Sequence, residues 1–172
     1  MYFNIRLYPA RLVFAILTII CMVGIFMFSM DNSDASSDKS NSITETAVEV
    51  LVKDYDTFSP AKQHDIFNEF DHIIRKLAHF TIFSALGFCA SMTVGKRPAF
   101  SKKSLFTLLF CSIYACTDEL HQYFVPGRAC RFTDVLIDTG GALTGMAVSL
   151  IIIGIFFWIK NQKTEDIKTA PD

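Results

Sequence analysis

SLFTLLFCSIYACTDELHQYF, residues 104–124, decides how this chain folds. A helix needs about 20 apolar residues to cross a hydrocarbon core of about 30 Å. The apolar part, 104–117, is too short on its own. It reaches crossing length only if the helix carries on through Asp118, Glu119, His121 and Gln122. That reading sets ionisable side chains in the last turns of a membrane helix. A charge there costs about 2.5–3.5 kcal/mol even on lenient insertion scales. The polar tract continues past Pro126-Gly127, a turn signal, to Arg128, Arg131 and Asp134, with Asp138 one turn further on.

Outward from this stretch lie three more apolar runs, 9–30, 77–95 and 135–159, each of spanning length. The first has Arg6 and Arg11 in front of it and no small-x-small cleavage site behind it, so it reads as an uncleaved helix rather than a signal peptide. The expected fold is all-α: a polytopic membrane bundle of four transmembrane helices (9–30, 77–95, 104–124, 135–159). It carries an extracytoplasmic amphipathic helical segment at 31–74 and a cytoplasmic tail at 160–172, the whole forming one domain over 1–172.

Charge sets the orientation. Arg6, Arg11, Lys96, Arg97, Lys102, Lys103, Lys160 and Lys163 fall on one side of a four-span chain. Short loops rich in Lys and Arg stay in the cytoplasm, so both termini are expected there. The segment 31–71 has ten acids against three lysines and belongs outside, as does the polar tract at 118–134.

Within the outer segment, 31–41 is rich in Ser and Asp and reads as a solvated linker. Ser42-Ile43-Thr44-Glu45 has the form of a capping box. The apolar face expected behind it is Ile43, Ala47, Val48, Val50 and Leu51. Ser59-Pro60 starts a second helix, which runs into the span at 77 without a breaker. These pieces fit interfacial helices or small helices capping the bundle; the amphipathic pattern serves either. Cys116 and Cys130 flank the outer turn, but spacing alone cannot establish a bridge. The tail after Lys160 is polar and expected to fray.

The polar residues converge by helical spacing. Arg75, Lys76 and His79 share a face of the second span, and Asp118, His121 and Gln122 share one on the third, with Glu119 beside Gln122. Asp134, Asp138, Gly141 and Gly145 form a stripe on the fourth, where the glycines admit a close neighbour. Read singly, Arg75 and Lys76 fit snorkelling anchors, His79 a boundary histidine and Arg131 a loop charge. Asp118 and Glu119 are short and need partners, either in a structural ion-pair network or in a ligand site. As a ligand site, Lys76, Gln122 and Arg128 would bind an anionic head group, since guanidinium suits phosphate. Glu119, His79, Asp134 and Asp138 would carry acid–base chemistry, with Glu119 as proton acceptor oriented by Gln122 or His79. Asp118, His121, Asp134 and Asp138 also offer ligands to a divalent metal, but at no diagnostic spacing, so no metal is assigned. Walker, nucleophile-elbow, zincin and dinucleotide motifs are absent from the sequence. The basic residues lack the aromatic interleaving of a nucleic-acid interface, so the expected partner is a membrane lipid or a lipid-linked envelope precursor.

Three ordered elements resemble the VanZ-like family of bacterial membrane proteins. Arg75-Lys76-x-Ala78-His79 is similar to a Lys-x-x-His element. Glu119 with Gln122 and Arg128 is similar to a Glu-x-x-Gln-x5-Arg element. Asp134, Asp138, Gly141 and Gly145 resemble the closing Asp-x3-Asn/Asp-x-x-Gly element. The chain departs from the family at Ile82-Phe83, where relatives often carry Glu-Tyr, so no carboxylate or phenol comes from that turn. The resemblance implies a multi-pass protein of the bacterial cell membrane. Through the founding member it also implies low-level resistance to teicoplanin-type glycopeptides. It implies no established reaction.

Overall fold

A computed structural model describes residues 8–30, 33–126, 128 and 130–169, with side chains for 9–30, 40–126, 128 and 130–162. The described chain forms α1 (Tyr8–Ser29), α2 (Ser33–Leu51), α3 (Pro60–Val94), α4 (Lys102–Tyr123) and α5 (Phe132–Thr169), with a 3₁₀ turn at Tyr55–Thr57. No strand occurs among the described residues. Three helices are long and apolar enough to cross a membrane, at Pro9–Ser29, Pro60–Val94 and Phe132–Gln162. The 22-residue α4 has the length, about 33 Å at about 1.5 Å per residue. It has Lys102 and Lys103 at one end and Asp118 and Glu119 at the other.

Helices α1, α3, α4 and α5 pack around a core of Ile25, Phe83, Leu86, Ala90, Cys111, Ala115 and Ala142, with Phe83 the largest fully buried side chain. Their outer surfaces are apolar. Leu12, Ile16 and Ile20 on α1 and Ile151, Ile155 and Trp158 on α5 are exposed, the surface a lipid-facing bundle requires. Hydroxyls within these helices bond to their own backbone four residues back. Thr18 donates to the Phe14 carbonyl, Ser84 to Phe80 and Thr144 to Gly140. This satisfies them without water.

The most extensive contact is between α3 and α5, and it runs parallel. Lys76 meets Asp134, and Ser91 meets Ser149. Between these rungs, Gly141 lies on the Phe80 backbone, Gly145 on Ser84 and Gly87 on Ala142; a methyl group at any of the three would overlap main chain. Backbone-to-backbone approach is how membrane helices gain van der Waals contact when lipid is as apolar as they are. Helix α1 is antiparallel to α3, with Phe14 on Phe88 and Arg11 against Gly95. It is parallel to α4, whose Tyr114 hydroxyl donates to the Met22 carbonyl at 2.6 Å.

These directions gather the bundle's polar groups at two ends. At the basic end, Gly95 (φ +77°) terminates α3 and Arg97 folds back. The Arg97 guanidinium donates to the Ser91 carbonyl and hydroxyl and to Ser104 at 2.9 Å, and to the Gly95 carbonyl at 3.0 Å. Lys96 lies over the Phe157 ring there. The acidic end holds the C-terminal ends of α1 and α4, the N-terminal half of α3 and the first turns of α5.

Several expectations need correction. The segment read as a linker is helical from Ser33, and Ser42 is interior to α2 rather than its cap. Asp31 and Asn32 lie outside the described residues. The face of α2 that is buried is Ser40, Thr44 and Val48, while Ile43, Val50 and Leu51 point outward. The reason is tertiary: Ser40 donates to Asp71 of α3, which fixes the rotation of α2 and draws its helix back along the chain. The tail stays helical to Thr169 rather than fraying at Lys160, since no Pro or Gly interrupts it. Cys116 and Cys130 are both free. Of the Pro126-Gly127 turn, Gly127 lies outside the described residues, but Arg128 N–H donates to the Val125 carbonyl at 3.2 Å, closing a turn there. Ser59 caps α3 and Pro60 occupies its first turn, as the spacing predicts.

Candidate functional site

The acidic end is built from α3 outward. Its 35 residues run unbroken from Pro60, so Asp71, Arg75, Lys76 and His79 follow one another down a single helix. Asp71 is buried and pairs with Arg75 at 3.2 Å, one turn on. Lys76 reaches across to Asp134 of α5 at 3.1 Å. One turn deeper, His79 Nδ1 stands 3.9 Å from Asp138 Oδ1, too far for a hydrogen bond. Asp138 is 1 % exposed, and neither of its oxygens has a hydrogen-bond partner.

From α4 come Asp118, Glu119 and Gln122, at 4, 2 and 7 % exposure. Gln122 bridges. Its Nε2 donates to Asp118 Oδ2 at 2.9 Å, and its Oε1 accepts from Arg128 at 3.0 Å. This pins the orientation of the amide, because only one assignment of its oxygen and nitrogen satisfies both neighbours. The same nitrogen is 3.4 Å from the Ser29 hydroxyl of α1. Arg128 also approaches the Phe28 carbonyl at 3.5 Å. Glu119 Oε2 accepts from the backbone N–H of Arg131 at 2.9 Å, tying the α4–α5 connection to the helix end.

The structure therefore brings His79, Asp118 and Asp138 together, with one ligand-type atom of each lying within 4.8 Å of the others. Gln122 and Arg128 stand behind Asp118. Lys76 and Asp134 form a separate rung above, and Glu119 turns to the loop, so its orientation is set by Arg131 rather than by Gln122 or His79. Of the four residues weighed as metal ligands, His121 and Asp134 point elsewhere. The His121 ring stacks on Phe26, centroids 4.7 Å apart, and Asp134 holds Lys76. Sequence reasoning missed Ser29, Ser40 and Gly87. It also missed Asp71 as a partner of Arg75, although the i,i+4 spacing of the two was legible.

Chemically, the arrangement is layered. Lys76 and Arg75 are partly exposed at the rim, with about a third of each side chain reachable. Below them the carboxylates of Asp118, Glu119 and Asp138 are buried. An open apolar groove, about 610 Å³, lies away from all of this, near the basic end between α1, α3 and α4, and is lined by Ala15, Ile19, Ala90 and Phe110.

A family model described as VanZ/LLP1 matches residues 14–156, which takes in every residue of the polar site. No curated protein matches the chain. No solved structure matches it.

Proposed function

Since the chain belongs to the VanZ/LLP1 family, we propose that it is a four-span protein of the bacterial cell membrane that holds the anionic head group of an envelope lipid or lipid-linked precursor. The binding site is the outward-facing polar end. Helix α4 serves as the fourth span, its end charges lying at the two boundaries. The basic end, with Arg11, Lys96, Arg97, Lys102, Lys103 and Lys160, faces the cytoplasm because cationic short loops are retained there. Both termini are then cytoplasmic, and the helices α2 and outer α3 rest on the opposite surface.

One observation supports this reading: Lys76 at the rim and Arg128 behind Asp118 flank a layer of buried acids, at a level that would meet the head groups if α3 spans the membrane as proposed. Twenty residues counted back from Val94 reach Arg75, about the thickness of the hydrocarbon core. A phosphate arriving there would compete with Asp134 for Lys76 and with Gln122 for Arg128. Both exchanges swap one charge-assisted hydrogen bond for another. In this reading Glu119 and Asp134 would be the proton acceptors, Glu119 on releasing the Arg131 N–H and Asp134 on releasing Lys76. Where the head group belongs to a wall precursor, the reading extends to teicoplanin-type glycopeptide tolerance, the phenotype implied by the family resemblance.

A second reading has an observation in its favour. The Lys76–Asp134 rung ties α3 to α5 directly, as it would in a non-enzymatic assembly or shielding protein whose ionic cluster is structural. Mass spectrometry of lipid co-purified with the intact protein, with Arg128→Ala and with Glu119→Gln separates the two. Head-group binding predicts a phosphate-bearing lipid that is depleted at least tenfold in Arg128→Ala at unchanged protein abundance. An identical lipid profile in both proteins refutes it. Glu119→Gln that keeps its lipid and folds normally yet loses the phenotype points to chemistry. A loss of abundance that tracks the loss of phenotype points to structure.

A further inference from the structure

We infer that His79, Asp118 and Asp138 form a binding site for one first-row divalent cation of the zinc or manganese class. The inference needs no head group and stands apart from the lipid reading.

Asp138 carries the argument. Its side chain is buried from solvent and protein donors alike: both oxygens are inaccessible and neither accepts a hydrogen bond. An ionised carboxylate left in that state is costly, and proteins resolve the cost by protonation, by pairing, by a donor or by a metal; the imidazole and second carboxyl group facing it point to the metal. Its ionic partner among the described residues is His79 Nδ1 at 3.9 Å, which is not a hydrogen bond. Lys76, one turn away on the same helix, is held at 3.1 Å by Asp134 instead. Asp118 faces the same point from α4. Three helices thus aim one imidazole and two carboxylates at a shared space.

The geometry fits a small cation. Bonds of about 2.0–2.1 Å at tetrahedral angles put ligand atoms about 3.4 Å apart. The present separations, 3.9 Å between His79 and Asp138 and at most 4.8 Å for any pair, need only small side-chain rotations to close. One nitrogen with two oxygens suits zinc, manganese or iron better than calcium or magnesium, which take oxygen alone. Two carboxylates balance the charge of the ion. The outer shell is also present: Arg128 holds Gln122, and Gln122 holds Asp118 through Oδ2. Such second-tier bonds orient metal ligands. Three protein ligands leave a coordination position open to water or to a phosphate oxygen, the arrangement of working rather than structural sites.

The test uses the full-length protein in lipid nanodiscs, stripped with chelator and titrated with Zn²⁺ and, separately, Mn²⁺. One equivalent is expected to bind. Affinity should fall at least 100-fold in Asp138→Asn and in His79→Gln, and about 10–100-fold in Gln122→Ala, the effect of a lost outer-shell partner. Thr93→Val, at the far end of α3, should bind like the parent. Pulsed EPR of the Mn²⁺-loaded parent should show coupling to a single imidazole nitrogen, a readout that survives any folding defect in the variants. Stripped parent protein that takes up neither ion overturns the site. So does an Mn²⁺ signal without nitrogen coupling, or an Asp138→Asn protein that binds within threefold of the parent.

Discussion

Replacing Gly145 by alanine tests the packing on which the polar end depends. A Cβ built at Gly145 falls 2.7 Å from the Ser84 carbonyl carbon and 2.8 Å from the Phe88 nitrogen, where ordinary contact begins at 3.4 Å. Those neighbours are main chain and cannot rotate away. The Ser84 carbonyl oxygen is nearer still, so helices α3 and α5 must part by more than the roughly 0.7 Å that the carbonyl carbon alone requires, and overpacking of this kind costs roughly 1–3 kcal/mol. The rigidity of the neighbours argues for the upper end, and the better helix propensity of alanine returns about 1 kcal/mol, leaving a net loss of about 2 kcal/mol. For a chain of this size, at about 2–4 °C per kcal/mol, the midpoint should drop by about 4–8 °C. Gly154 is the internal control. It lies on the same helix with no atom within 4 Å of its built Cβ, so Gly154→Ala should leave the midpoint unchanged or raise it slightly. Both variants can be followed by thermal unfolding in the same detergent. A Gly145→Ala protein that melts with the parent, or a Gly154→Ala protein that falls equally far, would refute the close approach of α3 and α5.

Two further predictions rest on single side chains. Arg97→Lys keeps the charge but loses the planar fork that serves Ser91, Gly95 and Ser104 together; we expect a loss of about 1.5–3 kcal/mol and faster proteolysis within residues 95–101, and an unchanged cleavage rate would count against the latch. Asp71→Asn removes the ion pair with Arg75 and weakens the anchor of Ser40; amide exchange over residues 40–51 should accelerate about 10–100-fold, from about 1.5–3 kcal/mol per hydrogen bond to a charged group, and unaltered exchange there would show that α2 is held by other contacts.

Much of the architecture was legible because it is local. Apolar runs of spanning length announce themselves, and the continuation of the 104–117 run through Asp118 and Glu119 follows from the absence of any breaker before Pro126. The glycine stripe on α5 was legible as well, since Gly141 and Gly145 stand at i,i+4 beside two aspartates. Gly87 was not, because its close neighbour, Ala142, is 55 residues away and nothing in its own surroundings marks it. The site shows the same limit. His79 and His121 each share a helical face with charged residues, and spacing cannot choose between them. The choice is made by packing: Phe26 of α1 stacks on His121 and turns it away, which leaves His79 to face Asp138. The start and rotation of helix α2 were misread for a related reason, although its helical character and buried Val48 were legible. Its Ser- and Asp-rich start is a poor helix by propensity, and its rotation is set by a hydroxyl–carboxylate bond to α3.

The length of α3 has a consequence for traffic. At about 1.5 Å per residue its 35 residues measure about 52 Å, some 20 Å more than the hydrocarbon layer. The portion beyond that length is the part of α3 on which α2 packs. If the polar end holds a lipid head group, as proposed, a molecule already embedded in the leaflet would reach Lys76 sideways without leaving its neighbours. On the same reading, a compound arriving from the aqueous phase would first have to pass that overhang. Access by lateral diffusion in two dimensions, rather than by collision from solution, would make occupancy respond to the abundance of a guest within its own leaflet.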